Sequence, residues 1–555
     1  MTPANEGLSP ADLVEIVAAA LLLLGVLMWH PWLTPLARWL DGRAGWTMIL
    51  IAALPVALRL ALLPHHPVPV PDLYDEFSHL LAADTLRHFR LANPPHALPQ
   101  FFETFFVLQR PTYSSIYPPG QALVLAIGWT LFGHPWAGVL AATAAFCGLC
   151  YWMLRGWVSP RWALAGGLLA VIEFGPMNQW MNEYWGGEAI AAAGCLVFGA
   201  LPRLRAAPRR RDAILLGLGM AMHLIMRPYE SIFLFLAVAL FWAPWRLAEL
   251  KAVAKFVPHV AFPLLLALAL LAVQDKQVTG SWTTMPEALS QYQYGVPSAL
   301  TFQSKVTPHV SLTEQQTMDY KMQRSFLGER TETLGSYLLR LEYRVRYYRF
   351  FFLAPLYLAL GAFLFALVER RFRWVSLTLV LFALGTNFFP AFQLHYVAAC
   401  TCLFVLVSVA GLERIARRWP EAARLVALLC AAQFVFWYGL HAFFDTAEWS
   451  AAVRSYETWD SINHANPERR IFVNRQLDRV PGKLLVFVRY SPHHIFQDEW
   501  VYNRAALDEA RVVWARDLGD AQNRPLLRYY ADRTPLVLEP DVQPPSLAAY
   551  RAPAQ

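Results

Sequence analysis

Charge is what this chain has least of. Only 16% of its 555 residues are Asp, Glu, Lys or Arg, against roughly 25% in soluble domains, while 56% are hydrophobic and 14% aromatic. A soluble globule could not bury so much apolar surface, so lipid is the main solvent. Cysteine is scarce as well: Cys147, Cys150, Cys195, Cys400, Cys402 and Cys430 are the only six. All lie inside or at the ends of apolar stretches, which excludes a disulfide framework or zinc knuckle in polar loops; Cys147 and Cys150 read as helix-packing residues. There is no internal repeat and no low-complexity tract. The first apolar run, from near Asp12, has no basic segment before it and no small-residue cleavage site after it, so a retained membrane helix is expected rather than a signal peptide. The formal charge of +7 does not point to nucleic acid, because the basic residues form short clusters between apolar runs, as cytoplasmic anchors do.

Apolar windows of spanning or near-spanning length lie near 11–30, 45–64, 119–134, 136–156, 162–178, 187–202, 212–227, 231–246, 256–273, 350–368, 374–391, 396–413 and 422–445. The clusters Arg38/Arg43, Arg155/Arg161, Arg203/Arg205/Arg209/Arg210/Arg211, Arg246/Lys251/Lys255, Arg370/Arg371/Arg373 and Arg414/Arg417/Arg418 recur at alternate turns and mark those turns as cytoplasmic. With 65–118 outside and 203–211 inside, an odd number of crossings must separate them, yet four windows lie between. The short window 119–134, which opens on Tyr117-Pro118-Pro119-Gly120, is therefore read as juxtamembrane or half-inserted. About twelve crossings remain, with both termini extracytoplasmic.

The expected fold is a polytopic α-helical membrane domain over 1–445, with outer loops at about 65–118 and 274–349, followed by a small extracytoplasmic α/β domain over 446–555. The tail carries β-like runs at Leu484–Arg489, Val512–Ala515 and Leu536–Leu538, with a helix expected around Pro525–Asp532.

Chemistry concentrates in the outer segments. Asp72, Asp75 and Glu76 fall within five residues at a membrane surface. A helix from near Asp72 to Arg90 would put Asp72 and Asp75 on one face, with Glu76 at the i+4 position from Asp72. Phe77, Leu80, Leu81 and Leu86 would let it lie on the lipid interface. The bland reading is capping by Asp72 with the other acids at the helix dipole; the position at a membrane face favours function.

An Asp75-Glu76 pair just after an early membrane helix, followed by Tyr117-Pro118-Pro119-Gly120 and by Leu131-Phe132-Gly133, resembles the GT-C superfamily of multi-spanning, polyprenyl-phosphate-sugar-dependent glycosyltransferases. Protein mannosyltransferases and lipid A aminoarabinose transferases belong there. The resemblance covers Met1 to Phe444 in architecture and about 71–135 in motif, and leaves the tail unplaced. It implies that Asp75 is the catalytic carboxylate and Glu76 its acidic neighbour. It also implies a polyprenyl-phosphate-linked sugar donor, a glycan, lipid or protein acceptor, and a bacterial inner membrane as the location. An inverting transfer needs a carboxylate to take the acceptor's proton, a role worth about 10²–10⁴ in rate, and Asp75 suits it.

The leaving lipid phosphate calls for cations, and Arg110 and Arg227 are suitable; Arg110 could equally snorkel, and Arg227 could pair with Glu230. Tyr117, which opens the Tyr-Pro-Pro-Gly turn, joins the substrate-binding candidates. So do Glu183 and Glu188, in a short outer turn where a solvated aromatic-belt turn is the alternative, and His395, which could donate to a phosphate or sugar. Arg340, Arg344, Arg346 and Arg349, clustered on an outer segment, run against the positive-inside bias and ask for an anion. No cofactor is assigned. A divalent metal stays open, since Asp75, Glu76, Glu183 and His79 offer ligands, though at no diagnostic spacing. The rivals are a transporter or flippase for lipid-linked sugars, which would show repeats and midplane charges, and a non-catalytic assembly subunit whose tail binds a partner.

Overall fold

In a computed structural model of the protein, the described residues are 42–443 and 468–550 without 72, 244–245, 297–299, 304–305, 328–331 and 496–497, plus the separate positions 17, 20, 21, 24 and 462. All but four positions of the expected crossing at 11–30 fall outside them, as do Arg38 and Asp72.

Main-chain groups in hydrocarbon can be satisfied only within their own segment, so the apolar runs fold as helices. In order the described helices, polar ones included, are α1 (Ala44–Ala61), α2 (Tyr74–Arg87), α3 (Pro119–Phe132), α4 (Trp136–Leu154), α5 (Pro160–Phe174), α6 (Glu188–Ala206), α7 (Arg210–Met226), α8 (Pro228–Phe241) and α9 (Leu247–Ala254). There follow α10 (Val257–Thr279), α11 (Pro286–Tyr294), α12 (Glu314–Leu327), α13 (Leu334–Val345), α14 (Tyr357–Phe363), α15 (Arg370–Thr386), α16 (Thr401–Arg418) and α17 (Pro420–Phe443). Among the described residues six helical segments have the length and composition to cross a membrane: α1, α4, α6, α10, α17 and Leu394–Arg418, which contains α16.

The windows that become α5, α7, α8 and α15 hold helices of 15, 17, 14 and 17 residues, and two further windows are short or bent. The short window near 119–134 becomes α3, 14 residues long and closed by Gly133 at φ +79°. It doubles back against α4 so tightly that a Cβ on Gly128 would lie 2.0 Å from the Gly138 nitrogen, an approach only glycine permits. The window at 350–368, expected to span, is broken: Leu334–Phe351 and Ala354–Val368 meet at 111°. The break is held by a residue far away in sequence, because the buried Glu173 of α5 accepts the Leu353 amide at 2.8 Å and Pro355 starts the next turn.

The arginines on this broken segment have protein acceptors. Arg344 is buried and donates to the Thr386 and Pro390 carbonyls at 3.1 and 3.2 Å and also to Phe389. Arg340 bonds the Asn387 carbonyl at 2.7 Å and Glu332 at 2.8 Å. Both cap the C-terminal end of α15, and Arg346 lies 3.6 Å over Tyr343. The charges that asked for an anion, in Arg340 and Arg344, are spent on a helix end.

The tail folds as α18 (Glu468–Asp478), β3 (Leu484–Val488), β4 (Val512–Arg516), α19 (Asp520–Tyr529), β5 (Thr534–Glu539) and β6 (Ser546–Ala549); β1 (Val107–Leu108) and β2 (Ser114–Ser115) form a small hairpin in the first loop. The sheet runs β4-β3-β5-β6, with β3 parallel to β4 and β5 and with β6 antiparallel to β5. The strands fall where the β-like runs predict them; the helix begins earlier, at Asp520 after Gly519, so Pro525 sits inside it. Alternate residues of β3 face opposite sides. Leu484, Val486 and Val488 pack with Val473 and Leu477 of α18. Leu485 and Phe487 pack with Leu81, Phe101, Phe102 and Tyr113 of the first loop. The tail and the loop thus share one core.

Candidate active site

Helix α2 starts at Tyr74, two residues later than Asp72, and ends at Arg87. Its cap is Glu76, whose Oε2 accepts the Leu73 amide at 3.1 Å while Oε1 accepts the Tyr184 amide at 3.1 Å. Glu76 is buried. Its carboxylate is engaged by main chain on both oxygens, which makes it a tie between α2 and the 175–187 turn rather than a free acidic partner of Asp75.

Asp75 remains partly accessible and accepts a hydrogen bond from the Tyr117 hydroxyl. Tyr117 lies just before the two prolines that start α3; its carbonyl accepts Gln274 of α10 at 3.0 Å. The imidazole of His79, one turn beyond Asp75, stacks on the Tyr117 ring at 4.3 Å. Loss of water pushes the Asp75 carboxyl up to about 6, against the opposing pull of the Tyr117 hydrogen bond and the Arg227 charge. The same burial, with Arg227 nearby, holds His79 down to about 3, so it is neutral.

Arg227 occupies the break between α7 and α8, forced by Pro228, which disfavours a helical residue before it. Its guanidinium lies 5.1 Å over the Tyr396 ring and 3.8 Å from Glu230, so the pairing with Glu230 that stood as the alternative to a phosphate role is present. The same cation is within electrostatic reach of Asp75, His79, His395 and Glu287.

His395 is buried at the start of the Leu394–Cys400 turn, its ring 5.6 Å from Trp185. Glu183 and Glu188 are 4% and 1% exposed, which removes the solvated-turn alternative. Glu183 accepts from Gln179 at 2.9 Å and from the Trp185 indole. Burial and the nearby Glu76, Glu188 and Asp75 carboxylates hold its own carboxyl well above the ordinary range. The turn closes through Gly187, where a Cβ would lie 2.4 Å from the Trp180 ring. Both glutamates therefore lie beneath the site, in contact with protein.

The structure thus gathers Asp75, Tyr117, His79, Arg227 and His395. Arg110 stands apart, exposed on the β1–β2 turn with Tyr294 as its electrostatic neighbour. Sequence reasoning missed Glu287, at the start of α11, and Asp319, on α12, which acts electrostatically on Tyr74 beside Asp75. They reach the site from the second loop, and no local pattern marks them. Among the described residues no three His, Cys, Asp or Glu side chains gather as metal ligands, Asp75, Glu76, Glu183 and His79 included.

This architecture is a polytopic helical membrane fold with a small C-terminal sheet, and its overall fold is shared with a solved structure. The chain is similar to ArnT from Cupriavidus metallidurans in the apo state, with a TM-score of 0.50 over 89% of this chain and 93% of that one at 12% identity. ArnT bound to undecaprenyl phosphate gives 0.49 over 90% and 93%, again at 12% identity. The oligosaccharyltransferase AglB from Archaeoglobus fulgidus, in complex with an inhibitory peptide and a dolichol-phosphate, gives 0.38 over 90% and 70% at 12% identity. The likeness is one of fold. No family model and no curated protein matches the sequence.

Proposed function

We propose that the protein is a membrane glycosyltransferase that moves a sugar from a polyprenyl-phosphate donor to a glycan, lipid or protein acceptor on the outer face of the inner membrane, with inversion at the anomeric carbon. The observation that carries this reading is Asp75 facing a cation at a helix break: a carboxylate at the start of an extramembrane helix, hydrogen-bonded by Tyr117 and within electrostatic reach of Arg227. Asp75 takes the proton of the acceptor hydroxyl as that oxygen attacks the anomeric carbon and the bond to the phosphate oxygen breaks. Arg227 meets the charge that develops on the departing lipid phosphate. A carboxyl pushed up to about 6 is still ionised at neutral pH and is a stronger base than an ordinary aspartate.

The topology that goes with this reading has about twelve crossings, both termini extracytoplasmic, and residues 65–118, 274–349 and 446–555 on the outer side. Mutual contacts support a common side for the three polar segments. Thr313 donates to Glu103, Thr104 donates to Glu499, and Arg516 bonds the Glu103 carbonyl at 2.6 Å. At the end of α17, His441 meets His66, at the start of the first loop, at 3.1 Å.

The test is a reconstituted assay with a panel of polyprenyl-phosphate sugars labelled in the sugar. Release of free polyprenyl phosphate, with the label in a glycoside of inverted configuration, is expected. Label that crosses the vesicle membrane while still attached to its lipid would instead identify a transporter.

A further inference from the structure

We infer that the C-terminal sheet domain is a working part of the Asp75 site, acting through the segment 498–505 to position α2; the inference rests on the reading of Asp75 as the base. That segment follows α2 from end to end. At the N-terminal end, Asp498 forms an antiparallel bridge with Leu73, two residues before Asp75. One step further, the Tyr502 ring stacks on Phe77 at 4.6 Å, and Arg470 of α18 sits 4.6 Å over the same Phe77 ring and 4.4 Å over Trp500. At the C-terminal end, the Ala505 amide donates to the buried Asp84 at 3.0 Å.

The segment is itself fixed to the sheet. Asn503 bonds both the amide and the carbonyl of Trp514 in β4, at 2.9 and 2.7 Å. Glu499 folds back on the Val501 amide at 2.8 Å and accepts the Tyr490 hydroxyl at 2.8 Å. Tyr113 of the first loop closes the contact with a 3.2 Å bond to the Asn503 carbonyl.

α2 is also packed on α3 and α4, where Leu80 and Ala83 meet Leu125, Ala126 and Val139 in a cluster that Phe77 and Tyr502 share, while Leu81 joins the core of the sheet domain. The helix is therefore gripped from two sides, and only one of them belongs to the membrane helices. Base catalysis is sensitive to this, because a misplacement of about 1 Å in a reacting group can cost about 100-fold in rate. Arg227 is carried by α7 and α8, not by α2. Loosening the sheet domain should therefore disturb the base and leave donor binding alone. It should also admit water to Asp75, and since loss of water is what raises that carboxyl, the acid limb of the rate profile should move to lower pH.

The experiment compares the full-length wild type with Asp75→Asn, Tyr502→Phe, Tyr502→Ala and Asn503→Ala, reconstituted in phosphatidylglycerol-containing vesicles and assayed for release of polyprenyl phosphate. Tyr502→Phe, which keeps the ring, should match the wild type. Tyr502→Ala should lower kcat by about 10-fold to 100-fold, keep the donor KM within about twofold, and shift the acid limb of kcat/KM downward. Folded Tyr502→Ala protein with unchanged kcat and acid limb overturns the inference, and so does a loss confined to acceptor KM, which would make the domain an acceptor-binding element. If Tyr502→Ala does not accumulate folded, Asn503→Ala decides: it leaves α2 and the aromatic contacts in place and frees the segment from Trp514 of β4, so lower kcat supports the inference and wild-type kcat rejects it. Transfer that survives in Asp75→Asn removes the reading of Asp75 itself, a failure separate from any result at Tyr502.

Discussion

At the residue scale, two neighbours pull on Asp75 in the direction opposite to its surroundings. Burial raises its carboxyl, and the Tyr117 hydroxyl and the Arg227 charge lower it. As a base it must be ionised, so kcat/KM should fall as pH drops through about 6. In Tyr117→Phe the stabilising hydrogen bond to the ionised form is gone. The acid limb of the profile should then move upward by roughly one to two pH units, since a hydrogen bond to a charged group contributes about 1.5–3 kcal/mol and 1.36 kcal/mol is about one unit. A limb that stays in place or moves down would show that Tyr117 does not act on Asp75. Arg227→Ala should raise the donor KM by roughly 10-fold to 100-fold on the same scale, with Arg227→Lys restoring it in part because lysine lacks the bidentate fork; unchanged donor kinetics in Arg227→Ala would remove this residue from the site. The sequence singles out Asp75 as one of three acids following an early apolar run and Arg227 as a charge at the end of another, where a charge is costly, and the structure puts the two within electrostatic reach of each other. The role of Glu76 is not legible in the sequence, since its second acceptor bond comes from Tyr184, 108 residues away.

Elements that follow from local rules are the ones the sequence anticipates. Long apolar runs become helices, and the β-like runs of the tail become strands because β3 is buried on both faces. The break at Phe352-Leu353 escapes such reading, since the group that holds it is Glu173 on another helix. The same logic governs α2. Its start is set by a carboxylate that satisfies one amide in the cap and another in the turn below. Glu76→Ala should therefore destabilise the protein by about 2–4 kcal/mol, combining a lost cap with a buried amide left unpaired, whereas Glu76→Gln, which can still accept, should cost less. Thermal unfolding in detergent checks this. Glu76→Ala with full stability would contradict the capping role, and Glu76→Gln with full stability but abolished transfer would return Glu76 to the chemistry.

For the whole molecule, the first loop, the second loop and the tail are joined to one another by contacts as distant in sequence as Glu103 and Arg516, 413 residues apart. No window of sequence could reveal that union; composition reveals only that the polar material is gathered into three segments. All six cysteines are buried and free, so an impermeant thiol reagent has little background to label. Cysteines placed at the exposed positions Arg90 and Lys483 should react from the outside and one at Ala207 should not; labelling at Ala207 from outside would overturn the topology. The most direct measurement of the account is sugar transfer by Asp75→Asn in a lipid-reconstituted assay that also follows donor binding. Asparagine keeps the size of the side chain but cannot take the acceptor's proton, so transfer should be lost while the polyprenyl-phosphate sugar still binds with nearly wild-type affinity. Turnover near the wild-type rate in that variant would contradict the claim that Asp75 is the base.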